Sequence, residues 1–149
     1  IGNCLFRVAF MEAVMQKILS FLILVLVLIG TSIYAGDDEE DLLLNTKSCV
    51  NCDLSNAWLE EADLRKADLT GAKLYRANME YANLTGANLT GADLSNVRLR
   101  GANLTNAILD NAILRYTNLG DANLSGASLK GAKLRDARFS NTKTDGVRF

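Results

Sequence analysis

Residues 62–106 read ADLRK ADLTG AKLYR ANMEY ANLTG ANLTG ADLSN VRLRG ANLTN, nine consecutive five-residue units that share one pattern. With the third residue of each unit taken as its centre, the frame runs without insertion from Leu54 to Phe149. Sixteen of these twenty centres are Leu, and the residue two positions before the centre is Ala in fifteen units. A repeat this regular has to be interpreted before any single helix or strand is assigned. The other centres are Met79, Phe139, Thr144 and Phe149.

The five-residue period fits neither regular element. A helix returns an apolar side chain to one face about every 3.6 residues, and a half-buried strand does so every second residue. A period of five fits a chain that turns a corner in every unit, with Leu and Ala pointing inward. Ala suits a narrow interior, because a larger side chain would overpack it. Gly, Asn and Asp, which often stand two residues after the centre, tolerate the backbone of tight turns. One side of the core would be lined by Leu64, Leu84, Leu104 and Leu124.

The repeated motif A(D/N)LXX closely resembles that of the pentapeptide repeat family, over about two thirds of the chain. The resemblance implies the fold of that family, an all-β, right-handed, four-sided β-solenoid with four repeats in each coil. This chain would then form about five coils. Because coils stack at the strand spacing of about 4.8 Å, the rod would be about 24 Å long. Each coil would contact only its neighbours, so stability should grow coil by coil.

Residues 15–35 have the order of a signal peptide. Lys17 precedes an apolar run at 18–30, and small residues ending in Ala35 follow. The run is shorter than the roughly 20 residues of a membrane span, so we expect cleavage after Ala35 and no stable span in the mature protein. An uncleaved signal anchor is the alternative. The mature protein would lie in a periplasmic, lumenal or extracellular compartment, and residues 1–14 are interpreted as upstream or non-native sequence.

Residues 36–48 lie between the signal peptide and the first coil. This segment opens with the acidic run DDEED at 37–41, continues with three Leu residues and closes with Lys47, an order that suits the helix dipole. Solenoids need their open ends covered, because an exposed strand edge invites the addition of another strand. We therefore expect a short N-terminal helical cap here, ahead of a solenoid at 49–149.

Cys49 and Cys52 form a CxxC pair at the start of the solenoid. In the repeat frame Cys49 takes a centre and Cys52 takes the next Ala position, so both side chains should point inward beside each other. Because an exported protein meets an oxidising compartment, we expect a disulfide that pins the cap to the first coil. Buried free thiols and a redox-active CxxC pair are the alternatives.

The sequence lacks the residue patterns of catalysis and cofactor binding. The chain has no His, so its Cys pair cannot complete a four-ligand zinc site or form a CxxCH haem attachment. Carboxylates are plentiful, but a convex rod offers no evident cleft in which two of them could act as acid and base. The glycines recur as corner residues and do not form a phosphate-binding loop. We expect no enzyme activity, no catalytic residue, no cofactor and no metal.

The outer wall of the rod is expected to be polar, with two notable groups. One column of residues, twenty positions apart and each just before a centre, is predicted to hydrogen-bond along the rod. Ile108 and Ile113 take the same outward position on two adjacent sides, and Tyr116 lies close to Ile113. Scattered apolar surface residues are common, so this group is either ordinary surface or a small interaction patch. The predicted ladder consists of Asp63, Asn83, Asn103 and Asn123.

Charge is unevenly distributed along the chain, whose formal net charge is −1. Residues 98–149 contain nine Lys or Arg against four Asp or Glu, and residues 47–149 contain fourteen against eleven. Some pentapeptide repeat proteins resemble B-form DNA in shape and charge and inhibit or protect topoisomerases. Such mimicry needs a strongly negative surface and a cytosolic address. The positive solenoid and the signal sequence both argue against it, and no nucleic-acid partner is expected.

The leading hypothesis is an exported, non-catalytic structural or interaction module that binds a protein partner of unknown identity. The first alternative is a DNA-mimic topoisomerase-binding protein, and the second is a redox protein that uses Cys49 and Cys52. In the C-terminal coil, Phe139, Thr144 and Phe149 interrupt the run of Leu centres. Either the two Phe rings plug the core, or two rods form a homodimer about a twofold axis through their C-terminal coils.

Overall fold

The computed structural model describes residues 37–149, so the segments 1–14 and 15–35 discussed above lie outside the described residues. Within this range one α-helix, α1, spans Asp37–Thr46. From Ser48 onward the described chain has no strand longer than a single bridging residue. No helix in the range 37–149 is both long enough and apolar enough to cross a membrane.

Parallel β-bridges connect the repeats, and each bridge joins residues twenty positions apart. The bridging residue is the one before the centre, as in the bridge between Asn83 and Asn103. Leu84 N–H donates to Asn103 O at 2.7 Å, and Asn103 N–H donates to Ala82 O at 2.9 Å. Because four repeats fill twenty residues, four columns of bridges close a four-sided solenoid with strand-like contacts. We label as coils 1 to 5 the residues 47–66, 67–86, 87–106, 107–126 and 127–146.

A four-residue turn forms each corner of the solenoid. After Leu104, Ala107 N–H donates to the Leu104 carbonyl oxygen at 3.0 Å, and Asn106 has a φ of 57°. Positive φ at the third residue of a turn is the mark of type II, which explains the Gly, Asn and Asp residues at this position. Tyr81 adopts the same conformation with a φ of 58°, and its ring lies over Gly101 in the next coil.

The interior is filled by the centres and by the Ala column beside them. The centres from Leu54 to Leu129 are all at most 2% exposed. Thr117, which takes an Ala position, is also buried, and its hydroxyl donates to Leu94 O at 2.7 Å. This bond satisfies the one polar side-chain group that the column introduces there. The fully buried centres of one side include Leu64, Leu84, Leu104 and Leu124.

The N-terminal end of the solenoid lies against α1. Leu43 of α1 is fully buried in the core. Glu40 Oε1 accepts a hydrogen bond from Trp58 N–H at 3.2 Å, and the Lys47 ammonium group donates to Asp63 O. In later coils the equivalent backbone groups pair with a neighbouring coil. The side chains of Glu40 and Lys47 therefore hydrogen-bond to backbone groups of coil 1 that have no preceding coil to pair with.

The interior becomes less well covered in coil 5. Leu134 is half-buried, Phe139 is 37% exposed, and Phe149 beyond it is 76% exposed. Neither Phe ring is buried, so the two rings do not plug the core. The homodimer through the C-terminal coil stays a prediction.

Candidate functional site

Hydrogen bonds of the Asn column on the outer wall are local. Asn103 Oδ1 accepts from Thr105 Oγ1 at 2.6 Å and from Thr105 N–H at 3.1 Å. Asn83 and Asn123 accept the same pair of bonds from the residue two positions later. The predicted ladder along the rod is therefore wrong, because each amide oxygen is occupied by the adjacent turn of its own coil.

On other sides, side chains do connect neighbouring coils. In three of these connections the residue after a centre in one coil meets the residue before a centre in the next coil. These side-chain bonds run from coil to coil, whereas those of the Asn column stay within one coil. They add to the backbone bridges that connect the coils. The three connections are Asn78 Nδ2 to Glu60 Oε2 at 3.0 Å, Asn88 Nδ2 to Thr70 Oγ1 at 2.9 Å, and Ser128 Oγ to Asp110 Oδ1 at 2.6 Å.

The two Cys residues lie beside α1. Their Sγ atoms are 2.11 Å apart, at bonding distance. Cys49 is buried and lies 3.7 Å from the Glu39 carbonyl oxygen, whereas Cys52 is half-buried. Within residues 37–149, no group of three or more His, Cys, Asp or Glu side chains is placed to hold a metal ion. The disulfide in the exported protein stays a prediction.

Several exposed carboxylates on the wall are held in their ionised form. Asp63 accepts two hydrogen bonds from Arg65, at 2.8 and 2.7 Å, which hold the pKa of its carboxyl far below the usual range. Asp121 accepts hydrogen bonds from Asn141 and Arg100, which also lower the pKa of its carboxyl. A carboxylate with a lowered pKa is a poor general acid, because that role requires the protonated form near neutral pH.

Ile108, Ile113 and Tyr116 all lie in coil 4. Ile108 stands in a bridge column between Asn88 and Ser128 and is 40% exposed. Ile113 belongs to the next side and is half-buried. Tyr116 forms the corner that follows and is 56% exposed. The three residues therefore span two adjacent sides and the corner beyond them.

A third side carries a large exposed side chain, Trp58, which is 74% exposed. We call this side the Trp58 face. Sequence reasoning missed it, because its residues are twenty apart and look unrelated until they are aligned coil by coil. Its positions before the centres are Trp58, Asn78, Arg98, Asn118 and Arg138. Its positions after the centres are Glu60, Glu80, Arg100, Gly120 and Ser140.

Comparison with known structures agrees with this architecture. A pentapeptide repeat protein from the thylakoid lumen of Arabidopsis thaliana is 28% identical, with a TM-score of 0.62, covering 75% of this chain and 74% of its own. A pentapeptide repeat protein from Nostoc PCC 7120 is 28% identical, with a TM-score of 0.61, covering 79% of this chain and 98% of its own. No curated protein matches the chain significantly by sequence.

The sequence itself gives the most direct assignment. The family model for pentapeptide repeats matches with eight copies, over residues 48–86, 82–121 and 109–141. These matches cover the solenoid from coil 1 into coil 5, where the bridges twenty residues apart are found. The chain therefore belongs to the pentapeptide repeat family.

Proposed function

We propose that this chain is a non-catalytic, exported pentapeptide-repeat module that presents its outer wall to another protein. The observation that carries the proposal is that Ile108 and Ile113 stand in neighbouring bridge columns whose other members are polar or charged, with Tyr116 exposed at the corner that follows. Tyr is enriched at the centres of protein interfaces, and the two Ile side chains would add apolar area on contact. We call these three residues the coil 4 patch.

We infer that the solenoid consists of about five coils and that α1 serves as its N-terminal cap. Buried Leu43 supports this role, as do the bonds that Glu40 and Lys47 make to backbone groups of coil 1. A covered edge cannot pair with a strand of another molecule, so binding would be directed to the sides of the rod.

The absence of an enzymatic role is supported by the electrostatics of the wall. The carboxyl groups of Asp53, Asp63 and Asp121 have lowered pKa values, because each accepts hydrogen bonds from neighbouring side chains or backbone groups. A general acid near neutral pH relies instead on a carboxyl group whose pKa is raised. These three carboxylates are therefore better suited to ionic contacts than to proton donation.

Export is supported by three observations. Residues 15–35 have the order of a signal peptide, and the Cys49–Cys52 sulfurs lie at bonding distance. One structural relative comes from the thylakoid lumen. N-terminal sequencing of the isolated protein should give a start near Gly36. A soluble cytosolic pool that retains Met15 would contradict export.

The binding proposal is tested by comparing three forms of the mature protein as baits in extracts of the exported compartment. The first is the natural sequence, and the second carries Ile108→Asn, Ile113→Asn and Tyr116→Asn, which restore polar residues. The third carries Val50→Asn and Tyr75→Asn, which remove exposed apolar groups elsewhere. We expect a specific partner to be lost only with the second bait. Equal capture by all three baits would contradict binding through the coil 4 patch.

A further inference from the structure

The solenoid side that bears Ile113 changes its charge in the last two coils. We call it the Ile113 side. In coils 1 to 3 it mixes acidic, basic and neutral polar groups, and the Lys73 ammonium group lies 3.6 Å from the Asp53 carboxylate. An excess of positive charge on this side is confined to coils 4 and 5. There its residues before and after the centres are Ile113 and three cations, Arg115, Lys133 and Arg135.

These four residues form a two-by-two grid on the flat side. Ile113 and Lys133 are joined by a parallel bridge, so the two coils lie one strand spacing apart, about 4.8 Å. Within each coil the two outward residues flank an inward centre, which separates them by about 6.6 Å, twice the rise of an extended chain. The exposed side chains of Arg115, Lys133 and Arg135 take three positions of the grid, and half-buried Ile113 takes the fourth.

The cations of the grid are available to a partner. Arg115 and Lys133 form no ion pair within residues 37–149. Arg135 lies 3.4 Å from Asp136, but both side chains are well exposed, and such pairs contribute little. Because a guanidinium group has five N–H donors, Arg135 can bind a second carboxylate while it contacts Asp136. Three cations beside one carboxylate leave a local excess of two positive charges.

We propose that the partner of the coil 4 patch binds through an extended acidic segment, which lies across the Ile113 side along coils 4 and 5 and has carboxylates at alternate residues. The inference rests on the proposed function, because Ile113 and Tyr116 of the coil 4 patch adjoin the grid. They would contact apolar atoms of the segment, while the cations bind its carboxylates. The proposal therefore names the chemistry of the partner.

The spacing of the grid determines how the segment lies. In an extended chain alternate side chains point to one face about 6.6 Å apart, which equals the separation of Lys133 from Arg135 along coil 5. Two carboxylates at alternate positions therefore face these two cations together. Along the rod, Arg115 and Arg135 are only about 4.8 Å apart, which does not match that period. A carboxylate placed between them accepts hydrogen bonds from both guanidinium groups.

A flat anionic membrane fits this surface less well. Ile108 stands on the adjacent side of the solenoid, so one plane cannot lie against both Ile108 and Ile113. Basic clusters attracted to anionic membranes have about four to eight Lys or Arg. The grid has three, and Asp93 bounds it in coil 3. A narrow protein segment can follow the grid and avoid this carboxylate, so it is the partner that the charges favour.

Fluorescence anisotropy with a dye-labelled peptide tests the proposal. The probe has about ten residues in which Glu alternates with Thr, so that its carboxylates share one face when extended. Matched peptides have Gln or Lys in place of Glu. We expect the Glu peptide to bind the mature protein about tenfold or more tightly than the Gln peptide, and to weaken as salt is added.

Charge reversal shows which cations bind the probe. Arg115→Glu with Lys133→Glu should weaken binding of the Glu peptide about tenfold or more and should allow the Lys peptide to bind. Arg98→Glu with Lys143→Glu is the matched control, because it makes the same charge change at exposed residues of the other two sides that form no ion pair in the described chain. The control should have little effect. Unfolding midpoints establish that both variants remain folded.

Three results would overturn the proposal. One is equal affinity of the natural protein and the Arg115→Glu, Lys133→Glu variant for the Glu peptide. Another is equal weakening by the control variant, which would mean that only net charge matters. The third is tighter binding to phosphatidylcholine vesicles with about 30% phosphatidylserine than to the peptide, lost on the same reversal, which would identify the grid as a membrane site.

The two double variants also serve as baits in the extracts described above. We expect the partner to be lost with Arg115→Glu and Lys133→Glu and kept with the control. A partner that is lost with the coil 4 patch variant but kept with this charge reversal overturns the acidic segment and leaves the coil 4 patch in place. A charge-dependent interaction that the coil 4 patch variant leaves unchanged supports the acidic segment and contradicts the patch. The two proposals therefore fail separately.

Discussion

The interior and the outer wall of the solenoid follow different rules. Inside, the same Leu and Ala columns recur on all four sides, and centres such as Leu84 and Leu104 are fully buried in successive coils. Outside, one side repeats Asn and Thr, whereas another passes from Trp58 to Arg98 within two coils. The contrast shows that the interior depends on two of every five residues, while the corner residue is restricted by its positive φ. The remaining two outward positions are free to diverge, and any specific function has to be carried mainly there.

The largest effect should follow from shortening one interior side chain. Leu104→Ala removes most of a fully buried side chain from coil 3. The narrow interior cannot collapse onto the space, because backbone bridges fix the coil above and below. We expect a loss of about 2–5 kcal/mol in the free energy of unfolding, measured by urea denaturation.

Asn103→Ala is the matched outer-wall control for that measurement. It removes the bonds from Thr105 to Asn103 Oδ1 and leaves the core intact. We expect a cost of about 1 kcal/mol. Equal denaturation midpoints for the two variants would mean that interior and wall are not energetically distinct.

A corner substitution should have an intermediate effect. Gly101 has a φ of +68°, and a Cβ atom there would come within 2.5 Å of the Tyr81 ring. Gly101→Ala should cost about 1–2 kcal/mol for the left-handed backbone, and further free energy for displacing the ring. Gly91 has the same φ of +68° with nothing within 4 Å, so Gly91→Ala measures the backbone cost alone. If both variants lower the free energy of unfolding by the same amount, the Tyr81 ring moves aside at no measurable cost.

Reduction of the Cys49–Cys52 pair should have a smaller and local effect. A loop this short restricts the unfolded chain only modestly, so we expect a loss of about 1–2 kcal/mol. Non-reducing mass spectrometry should show a protein lacking two hydrogen masses. After reduction, hydrogen exchange should accelerate in α1 and coil 1 while coil 3 stays protected. Full alkylation without reductant would contradict the bond.

The smallest effect should come from acidic pH. The pKa values of Asp53, Asp63 and Asp121 are below the ordinary value of 3.8 in the folded state. Their stabilising contribution is therefore complete above about pH 4 and lost as the pH falls below that value. The effect should be modest, because these groups are exposed and screened by solvent. Without His in the chain, the urea midpoint should be nearly constant between about pH 5 and pH 8.

A single variant measures how much of this loss of stability at acidic pH depends on Asp121. Asp121→Asn should reduce the decline of the midpoint below about pH 4, since the amide does not titrate. An unchanged decline would show that Asp121 contributes nothing to it.

Most of the fold could be predicted from the sequence, because the repeat specifies it many times over. The five-residue frame gives the inward columns, and the φ values at Asn106 and Gly101 agree with the turn residues expected there. The predicted hydrogen-bonded ladder of Asn side chains failed for a local reason. Thr or Ser two residues later competes for the same oxygen, as Thr105 does at Asn103, and the nearer donor wins.

Surface features were harder to predict. The bond between Glu40 and Trp58 N–H depends on how α1 meets coil 1, which no local pattern specifies. The Trp58 face emerges only when residues twenty apart are placed side by side.

The twenty-residue spacing of the bridges has a consequence for how the gene can change length. Deleting four repeats removes a whole coil and leaves every remaining side chain on its original side. Deleting a single repeat between coils 2 and 3 satisfies the interior equally well, but it carries Arg98 a quarter turn away from the side that bears Trp58. A deletion of fifteen nucleotides, which encode one repeat, would therefore preserve the fold but rearrange the surface. Only changes of four repeats, or a multiple of four, keep the side chains on both flanks of the change aligned on the same side of the solenoid. The number of repeats therefore limits which binding surfaces the solenoid can form.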